Sequence, residues 1–445
     1  MIPQNFLEHL ATEHGLSKSE LKALSPAVNG QQIPAIAISL NISEDAVRKR
    51  LSEIYQKFQI PGRGPVKMAQ LQQLLLTRYQ EHIAHTSVKK PGGAIARSRR
   101  DWGDAPASSL FHGRTTELET LQQSIIKDTC RLVALFGMGG IGKTALAIKF
   151  AHQNEENFQF LMWRSLRNAP PLENLISDCL ASLFDLQETD LPKNTDEKIS
   201  KLIELLHEYR CLLVLDDTET IVRGGDILGR YKQGYEEYGV FFRKIGEAQH
   251  QSCLLLISQE KLREISLLEN LSPVIHSLQL EGLNPEAARE ILQSKGLTGE
   301  QQWEELIRIY GGNPLALKLI AGTIENIFNK NVAGYLKWGT ISISPDYREI
   351  LDNQFQRLSS FEITLMQAIA QGEKPSSFQN LRETLAIEFR TSSIIEALES
   401  LGRRFLIEKI ANNNTNEFLF DLQPVIRKYL KNIKAPHSGS DRGTA

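Results

Sequence analysis

Arg131-Leu132-Val133-Ala134-Leu135-Phe136-Gly137-Met138-Gly139-Gly140-Ile141-Gly142-Lys143-Thr144-Ala145-Leu146-Ala147 is the stretch on which the reading of the fold turns. Its first six residues are an apolar run of strand length, and its last three open a helix-forming stretch. Between them stands the complete pattern G-x-x-x-x-G-K-[ST], in the strand-to-helix context that the pattern requires. Glycines let such a loop wrap so that its N–H groups and the N-terminus of the next helix face phosphates. Lys143 is expected to reach the β- and γ-phosphates, and the Thr144 hydroxyl to ligate Mg²⁺. The segment Gly137, Met138, Gly139, Gly140, Ile141, Gly142, Lys143 and Thr144 is therefore predicted to bind an adenine nucleotide, ATP or ADP with Mg²⁺.

Downstream, Cys211-Leu212-Leu213-Val214-Leu215 reads as a second buried strand and ends in Asp216-Asp217. Carboxylates at the carboxyl edge of an α/β sheet lie where such proteins bind ligands. Asp216 is predicted to hold Mg²⁺, and Asp217 to orient or deprotonate an attacking water as the catalytic carboxylate. Taken alone, two aspartates after a strand serve equally well as loop-solvating or helix-capping residues. Strands and helices alternate from about residue 110, as in an α/β domain with a mainly parallel sheet.

The N-terminal segment reads as helices. Gln32–Leu40 is a short apolar helix with Pro34 near its first turn. An Asn41-Ile42 turn follows, then Ser43 as N-cap of a helix from Glu44 to Tyr55. This spacing suggests a helix-turn-helix, with Arg48, Lys49 and Arg50 placed early on the second helix to meet phosphates and base edges of DNA. Residues 1–100 carry 14 Lys/Arg against 7 Asp/Glu, and the remainder 37 against 46, so a basic module precedes an acidic body. A helix pair of this kind also serves as a protein-docking element, with its basic face as plain solvated surface.

Further motifs fall in order along the chain. Phe111-His112-Gly113-Arg114-Thr115-Thr116-Glu117-Leu118, Leu278-Gln279-Leu280-Glu281-Gly282-Leu283 and Gly311-Gly312-Asn313-Pro314-Leu315-Ala316-Leu317 together resemble the NB-ARC domain of STAND signal-transduction ATPases over about residues 110–435. The resemblance implies that Arg114 lies near the nucleotide, that the second segment starts a helical lid, and that Pro314 packs by the adenine. Two positions depart from it. Gln259 follows Cys253–Ser258 where the family has a phosphate-sensing arginine, and an amide supplies only a dipole there. Gln423 stands where the family has a histidine that contacts the β-phosphate of ADP; its amide can still donate a hydrogen bond. Both put fast hydrolysis in doubt more than binding. Ile42–Leu51 with Ile54–Phe58 resembles LuxR-type helix-turn-helix modules.

The expected fold class is multidomain α/β: a P-loop NTPase with a mainly parallel sheet, a helical lid and a C-terminal winged helix, preceded by an all-α module. The divisions expected are a helix-turn-helix module (1–84), a flexible basic linker (85–109), the nucleotide-binding domain (110–275), the lid (276–340), a winged helix (341–435) with strands at Arg404–Ile410 and Glu417–Leu422, and a disordered tail (436–445). The four cysteines lack metal-ligand spacing and read as reduced core residues. Neither a signal peptide nor an apolar run of membrane-spanning length is present, so a cytoplasmic protein with no membrane partner is expected.

The function expected is a STAND-type switch. ADP holds the lid and winged helix closed, exchange for ATP releases them, and the chain self-associates and repositions its N-terminal module. In that family ligand-sensing repeats usually follow the winged helix; this sequence ends soon after Leu430, which leaves sensing to a separate partner protein or to a region removed from it. The alternatives are a DNA-dependent ATPase of the AAA+ or origin-binding kind, which turns over ATP on DNA, and a permanently ADP-bound scaffold.

Overall fold

The computed structural model describes residues 16–28, 33–40, 42–58, 60, 67, 71, 75, 99–107, 111–184, 186, 191–372, 374–386, 389–412 and 417–432. The chain divides into two compact units, Met1–Ile95 and Ala96–Ala445. Asn41, the stretch 76–98, the hairpin tip Asn413–Asn416 and the tail from 433 lie outside the described residues.

In the first unit, α1 (Lys18–Val28), α2 (Ile33–Leu40) and α3 (Glu44–Lys57) enclose a small core of Leu24, Ile36, Val47 and Ile54. Ser43 caps α3 as expected, accepting from the Ala46 N–H at 3.2 Å. The three basic residues differ in their freedom. Arg48 donates to Glu44 at 2.8 Å and to Asp45 at 2.9 Å, and Arg50 reaches the Ser19 carbonyl at 3.5 Å. Lys49 is exposed.

The second unit is built on a six-stranded sheet, wholly parallel. Its strands are β1 (Arg99–Asp101), β2 (Leu132–Phe136), β3 (Phe160–Ser165), β4 (Cys211–Asp216), β5 (Cys253–Ser258) and β6 (Ile275–Gln279), in the order β1-β3-β4-β5-β2-β6. Every residue of β2, β4 and β5 is buried, because helices cover both faces of a parallel sheet and leave no polar side for the strands to show. Those helices are α4 (Thr115–Leu121), α5 (Lys143–Asn154), α6 (Leu172–Phe184), α7 (Thr195–Glu208), α8 (Glu237–Glu247) and α9 (Arg263–Glu269). All four cysteines are buried and free.

A helical segment follows: α10 (Pro285–Ser294), α11 (Trp303–Ile309), α12 (Pro314–Ile327), α13 (Val332–Leu336), α14 (Pro345–Phe355) and α15 (Ser360–Gln371). Beyond it come β7 (Ser376–Ser377), α16 (Phe378–Leu385), α17 (Thr391–Arg403), the hairpin β8 (Glu408–Asn412) and β9 (Glu417–Asp421), and α18 (Pro424–Asn432). The last three strands form an antiparallel sheet in the order β7-β9-β8.

Three expected boundaries shift. β1 lies inside the stretch read as linker: it is short and charged, so it offers no apolar period, and it is fastened by side chains instead. Arg100 donates to the carbonyls of Gln159 at 3.1 Å and Phe158 at 2.9 Å, and Asp101 accepts from Arg164 at 2.6 Å. The sheet also runs on to Gln279, so the boundary at 275/276 cuts strand β6. Finally, β8 begins at Glu408, because α17 persists to Arg403 and Phe405, at φ +58°, turns Leu406 and Ile407 into the core.

The hydrogen bond from Arg164 holds the Asp101 carboxyl at about 2 against its ordinary 3.8. A carboxyl depressed by folding stabilises the fold above its unfolded pKa and loses that contribution as pH falls toward its folded one. Trp102 stacks on His152 with centroids 4.1 Å apart and reports on the edge strand. Acidification from about pH 4 to pH 2 is expected to unfasten β1 and alter Trp102 fluorescence, and Asp101→Asn to show the altered signal already at neutral pH.

Candidate nucleotide-binding site

Strand β2 hands the chain straight from Phe136 to Gly137. At Gly137 φ is +150°, and an added Cβ would lie 2.7 Å from the Leu280 carbonyl, so the loop leaves the sheet here only as glycine. From there the carbonyls turn outward onto the protein. Lys143 Nζ donates to the carbonyls of Gly137 at 2.7 Å and Met138 at 3.1 Å. Asn313 Nδ2 donates to Gly139 at 2.9 Å, the Leu315 N–H to Gly140 at 3.4 Å, and Arg114 to Ile141 at 3.0 Å. Within the loop the Ile141 N–H donates to the Met138 carbonyl at 3.3 Å, and the loop borders a cavity of about 1030 Å³, whose wall includes Gly139, Lys143, Thr144, Asp216, Glu219 and Gln259.

At the carboxyl end of β4, the Thr144 hydroxyl donates to Asp216 Oδ2 at 2.9 Å. Burial, reinforced by the Asp217 charge, pushes the Asp216 carboxyl up to about 7. Burial also lowers the pKa of Lys143, opposed by the charges of Glu219, Asp216 and Asp217. The pairing of an alcohol with a carboxylate on the cavity wall fits a hard cation with oxygen ligands, so Thr144 and Asp216 would hold Mg²⁺, which neutralises phosphate charge when bound. A glycine-rich loop that ends in Lys143 at the N-terminus of a helix, on the wall of the same cavity, likewise fits a polyphosphate.

Of the residues singled out from sequence, Gly139, Gly140, Gly142, Lys143, Thr144, Asp216 and Asp217 share this cavity. Arg114 and Pro314 join Gly140, Ile141 and Gly142 around an adjoining slot of about 110 Å³ that Phe111 and Leu315 make mainly apolar. Arg114 holds the loop from behind, donating also to the Glu281 carbonyl at 2.6 Å and to Glu117 at 2.5 Å. Met138 and Gln423 stand apart, on the wall of a separate cleft of about 1130 Å³. Gln423 precedes α18 and packs its amide against Gly311, which places it outside the lining of the phosphate cavity.

Asp217 adopts φ +57°, and its carboxylate accepts from Ser165 at 2.8 Å and lies 3.6 Å from Arg167. Two residues not singled out from sequence complete the site. Glu219, 5% exposed, accepts the Gln259 N–H at 3.1 Å, and burial raises its pKa against the pull of Lys143. Asn313, 1% exposed, clamps Gly139 and also caps α12 through the N–H groups of Leu315 and Ala316 at 3.1 and 3.2 Å. The Gly311-Gly312-Asn313-Pro314 pattern could have shown Asn313 as an N-cap before a proline at the first helical position, but not its grip on the loop.

Comparison with known proteins agrees with this geometry. Residues 114–228 match the NB-ARC domain family. An uncharacterized WD repeat-containing protein of Nostoc sp. is 40% identical over 75% of this chain and 27% of its own length. A disease resistance protein of Arabidopsis thaliana is 28% identical over 46% of this chain and 13% of its own. The chain thus spans about a quarter of the Nostoc protein and less of the plant one. Among solved structures, a Walker-type ATPase of Pyrococcus abyssi superposes with a TM-score of 0.51 at 16% identity, covering 72% of this chain and 96% of that one, which shows a common P-loop fold. The phosphate loop, Asp216 and Asp217 all fall within the stretch that matches the NB-ARC domain. Among the described residues no helix is long and apolar enough to cross a membrane, and no group of His, Cys, Asp or Glu is arranged to hold a metal by itself.

Asn313→Ala is expected to cost about 1–2 kcal/mol in chemical denaturation through the lost cap. Freed of its clamp, the Gly139 carbonyl can rotate inward, so nucleotide affinity measured by titration should fall as well.

Proposed function

We propose that the chain is a nucleotide-dependent switch of the STAND type, in which exchange of ADP for ATP with Mg²⁺ releases the lid and the C-terminal region and drives self-association. The observation that carries this reading is a buried charge clasp joining the nucleotide-binding core to the C-terminal region. Glu260, the residue after Gln259, pairs with Arg357 and lies 3.4 Å from Arg404 Nε, while Arg404 lies 3.5 Å from Glu362. Glu260, Arg404 and Glu362 are all buried. Arg404 also donates to the Asp226 carbonyl at 3.2 Å, and the Lys261 N–H to the Arg403 carbonyl at 2.8 Å. The cavity wall at Gln259 is thereby one peptide away from the contact that holds the C-terminal region down. Segments 276–340 and 341–435 serve as lid and winged helix in this reading.

The N-terminal module is the output in this proposal, and it contacts DNA through Lys49 and Arg50, with Arg48 held by Glu44 and Asp45 unless phosphate displaces them. A separate sensor protein or a further sensing region supplies the trigger. Hydrolysis is slow, as an amide at Gln259 implies. A DNA-dependent ATPase would be recognised by DNA-stimulated turnover.

The test is mass in solution by light scattering with ADP·Mg²⁺, with a non-hydrolysable ATP analogue and Mg²⁺, and without nucleotide. A monomer with ADP that assembles with the analogue is the expected result, and Lys143→Ala should bind neither nucleotide and stay unchanged in mass. Equal mass in every state identifies a nucleotide-stabilised scaffold instead. Unchanged ATP and ADP affinity in Lys143→Ala would sink the site.

A further inference from the structure

The turn after β4 separates two carboxylates that adjoin in sequence. Asp217, at φ +57°, starts the short helical turn Thr218–Ile221, and this left-handed residue sends its own side chain and that of Glu219 in different directions. Asp217 is turned to Ser165 and Arg167 at the end of β3. Glu219 is turned to the end of β5, where the Thr218 hydroxyl anchors the same turn to the Ile257 carbonyl at 3.1 Å. It is buried, lines the cavity beside the phosphate loop, holds the Gln259 N–H, and is the foremost negative charge acting on Lys143. Glu219 thus ties the turn after β4 to the residue that follows β5, the strand that lies between β4 and the strand β2 that feeds the phosphate loop.

We propose that Glu219, and not Asp217, is the carboxylate that governs hydrolysis at this site, positioning the Gln259 turn and Lys143 around the γ-phosphate and taking the proton of the attacking water. The proposal rests on the reading of the cavity as an ATP site. In the step it serves, the water oxygen forms a bond to the γ-phosphorus, and the bond from that phosphorus to the β,γ-bridging oxygen breaks. The electron pair leaves with ADP, and the water proton passes to the Glu219 carboxylate and then to the released phosphate. Burial favours the protonated form of a carboxyl, which makes Glu219 a stronger base than an exposed glutamate.

The experiment compares Glu219→Gln, Glu219→Asp and Asp217→Asn in the full chain, measuring ATP and ADP affinity by titration and phosphate release in single-turnover assays. Glu219→Gln keeps the side-chain volume and an acceptor for the Gln259 N–H while removing a negative charge that faces Lys143. Turnover should fall about 100-fold while ATP binds as well as before or more tightly, a split that loss of structure would not produce. Glu219→Asp, which retains the charge but withdraws it, should keep part of the turnover, and Asp217→Asn should lose less than Glu219→Gln. A larger loss in Asp217→Asn, parallel loss of binding and turnover in Glu219→Gln, or a wild-type chain that binds ATP but never cleaves it would overturn the proposal. A wild-type chain that binds neither ATP nor ADP would overturn the ATP-site reading itself, a separate failure visible before any variant is made.

Discussion

The carbonyls of Gly137, Met138, Gly139, Gly140 and Ile141 are each held by a donor from the protein, and the arrangement of the second unit follows from where those donors come from. An isolated glycine-rich loop has every reason to turn its carbonyls anywhere, since glycine surrenders more conformational entropy than any other residue when it is ordered. Here the donors come from the helix that follows the loop (Lys143), from the segment ahead of β2 (Arg114) and from the start of α12 (Asn313 and the Leu315 N–H). The carbonyls keep these directions only while all three stay in place. The segment Asn313–Leu315 is thus part of the loop's structure, and close packing between them shows the same dependence: a Cβ on Gly140 would lie 3.0 Å from Leu315 Cβ.

The clasp of Glu260, Arg357, Arg404 and Glu362 obeys a different energetic rule. Desolvating charges costs most of what their attraction returns, so a buried network adds little net stability over an apolar packing of the same shape. What it does impose is an all-or-none character, because removing one partner strands the others and costs about 3–5 kcal/mol. Such a contact suits a surface that must be either fully docked or fully released. Apolar packing of equal area would slide and re-form by degrees. The capping box between Ser359 and Glu362 makes the same carboxylate serve α15 and the clasp at once, with Oε2 accepting from the Ser359 N–H at 2.7 Å.

What could be read from the residues alone was whatever is local. The phosphate loop, the apolar strands β2, β4 and β5, the Ser43 cap and the polar-tipped hairpin all declare themselves within a window of about fifteen residues, where periodicity and capping chemistry operate. Glu219, Asn313 and the Glu260 clasp do not, because each acts through a partner on another element: Gln259 for Glu219, Gly139 for Asn313, Arg404 for Glu260. β1 escaped for a related reason. A charged edge strand has no buried face to imprint on its sequence, and the ion pair that fastens Asp101 reaches Arg164 on the neighbouring strand. The αL backbone at Asp217 was equally silent, although it accompanies the parting of two nearby carboxylates, Asp217 to Ser165 and Glu219 to Gln259.

In the proposed switch, a nucleotide can shift the equilibrium only through contacts that differ between the closed and released states. The loop donors Lys143 and Arg114 belong to the core and stay with it in either state, so they set affinity without setting direction. The contacts able to carry the signal are those from elements that move, or from residues tied to them. Asn313 is one, since it brings the lid onto Gly139. The Gln259-Glu260 pair is the other: one residue lines the cavity and the next anchors the C-terminal region. Gln259 and Glu260 share a peptide unit, so a displacement of the backbone at Gln259 is passed to the Cα of Glu260 and works against the pairing of its carboxylate with Arg357 and Arg404. Since the clasp tolerates no partial release, a small displacement at Gln259 suffices to break it. On this argument the amide at 259 does not disable the switch. It weakens the pull of the phosphate end while leaving the mechanical link to Glu260 intact.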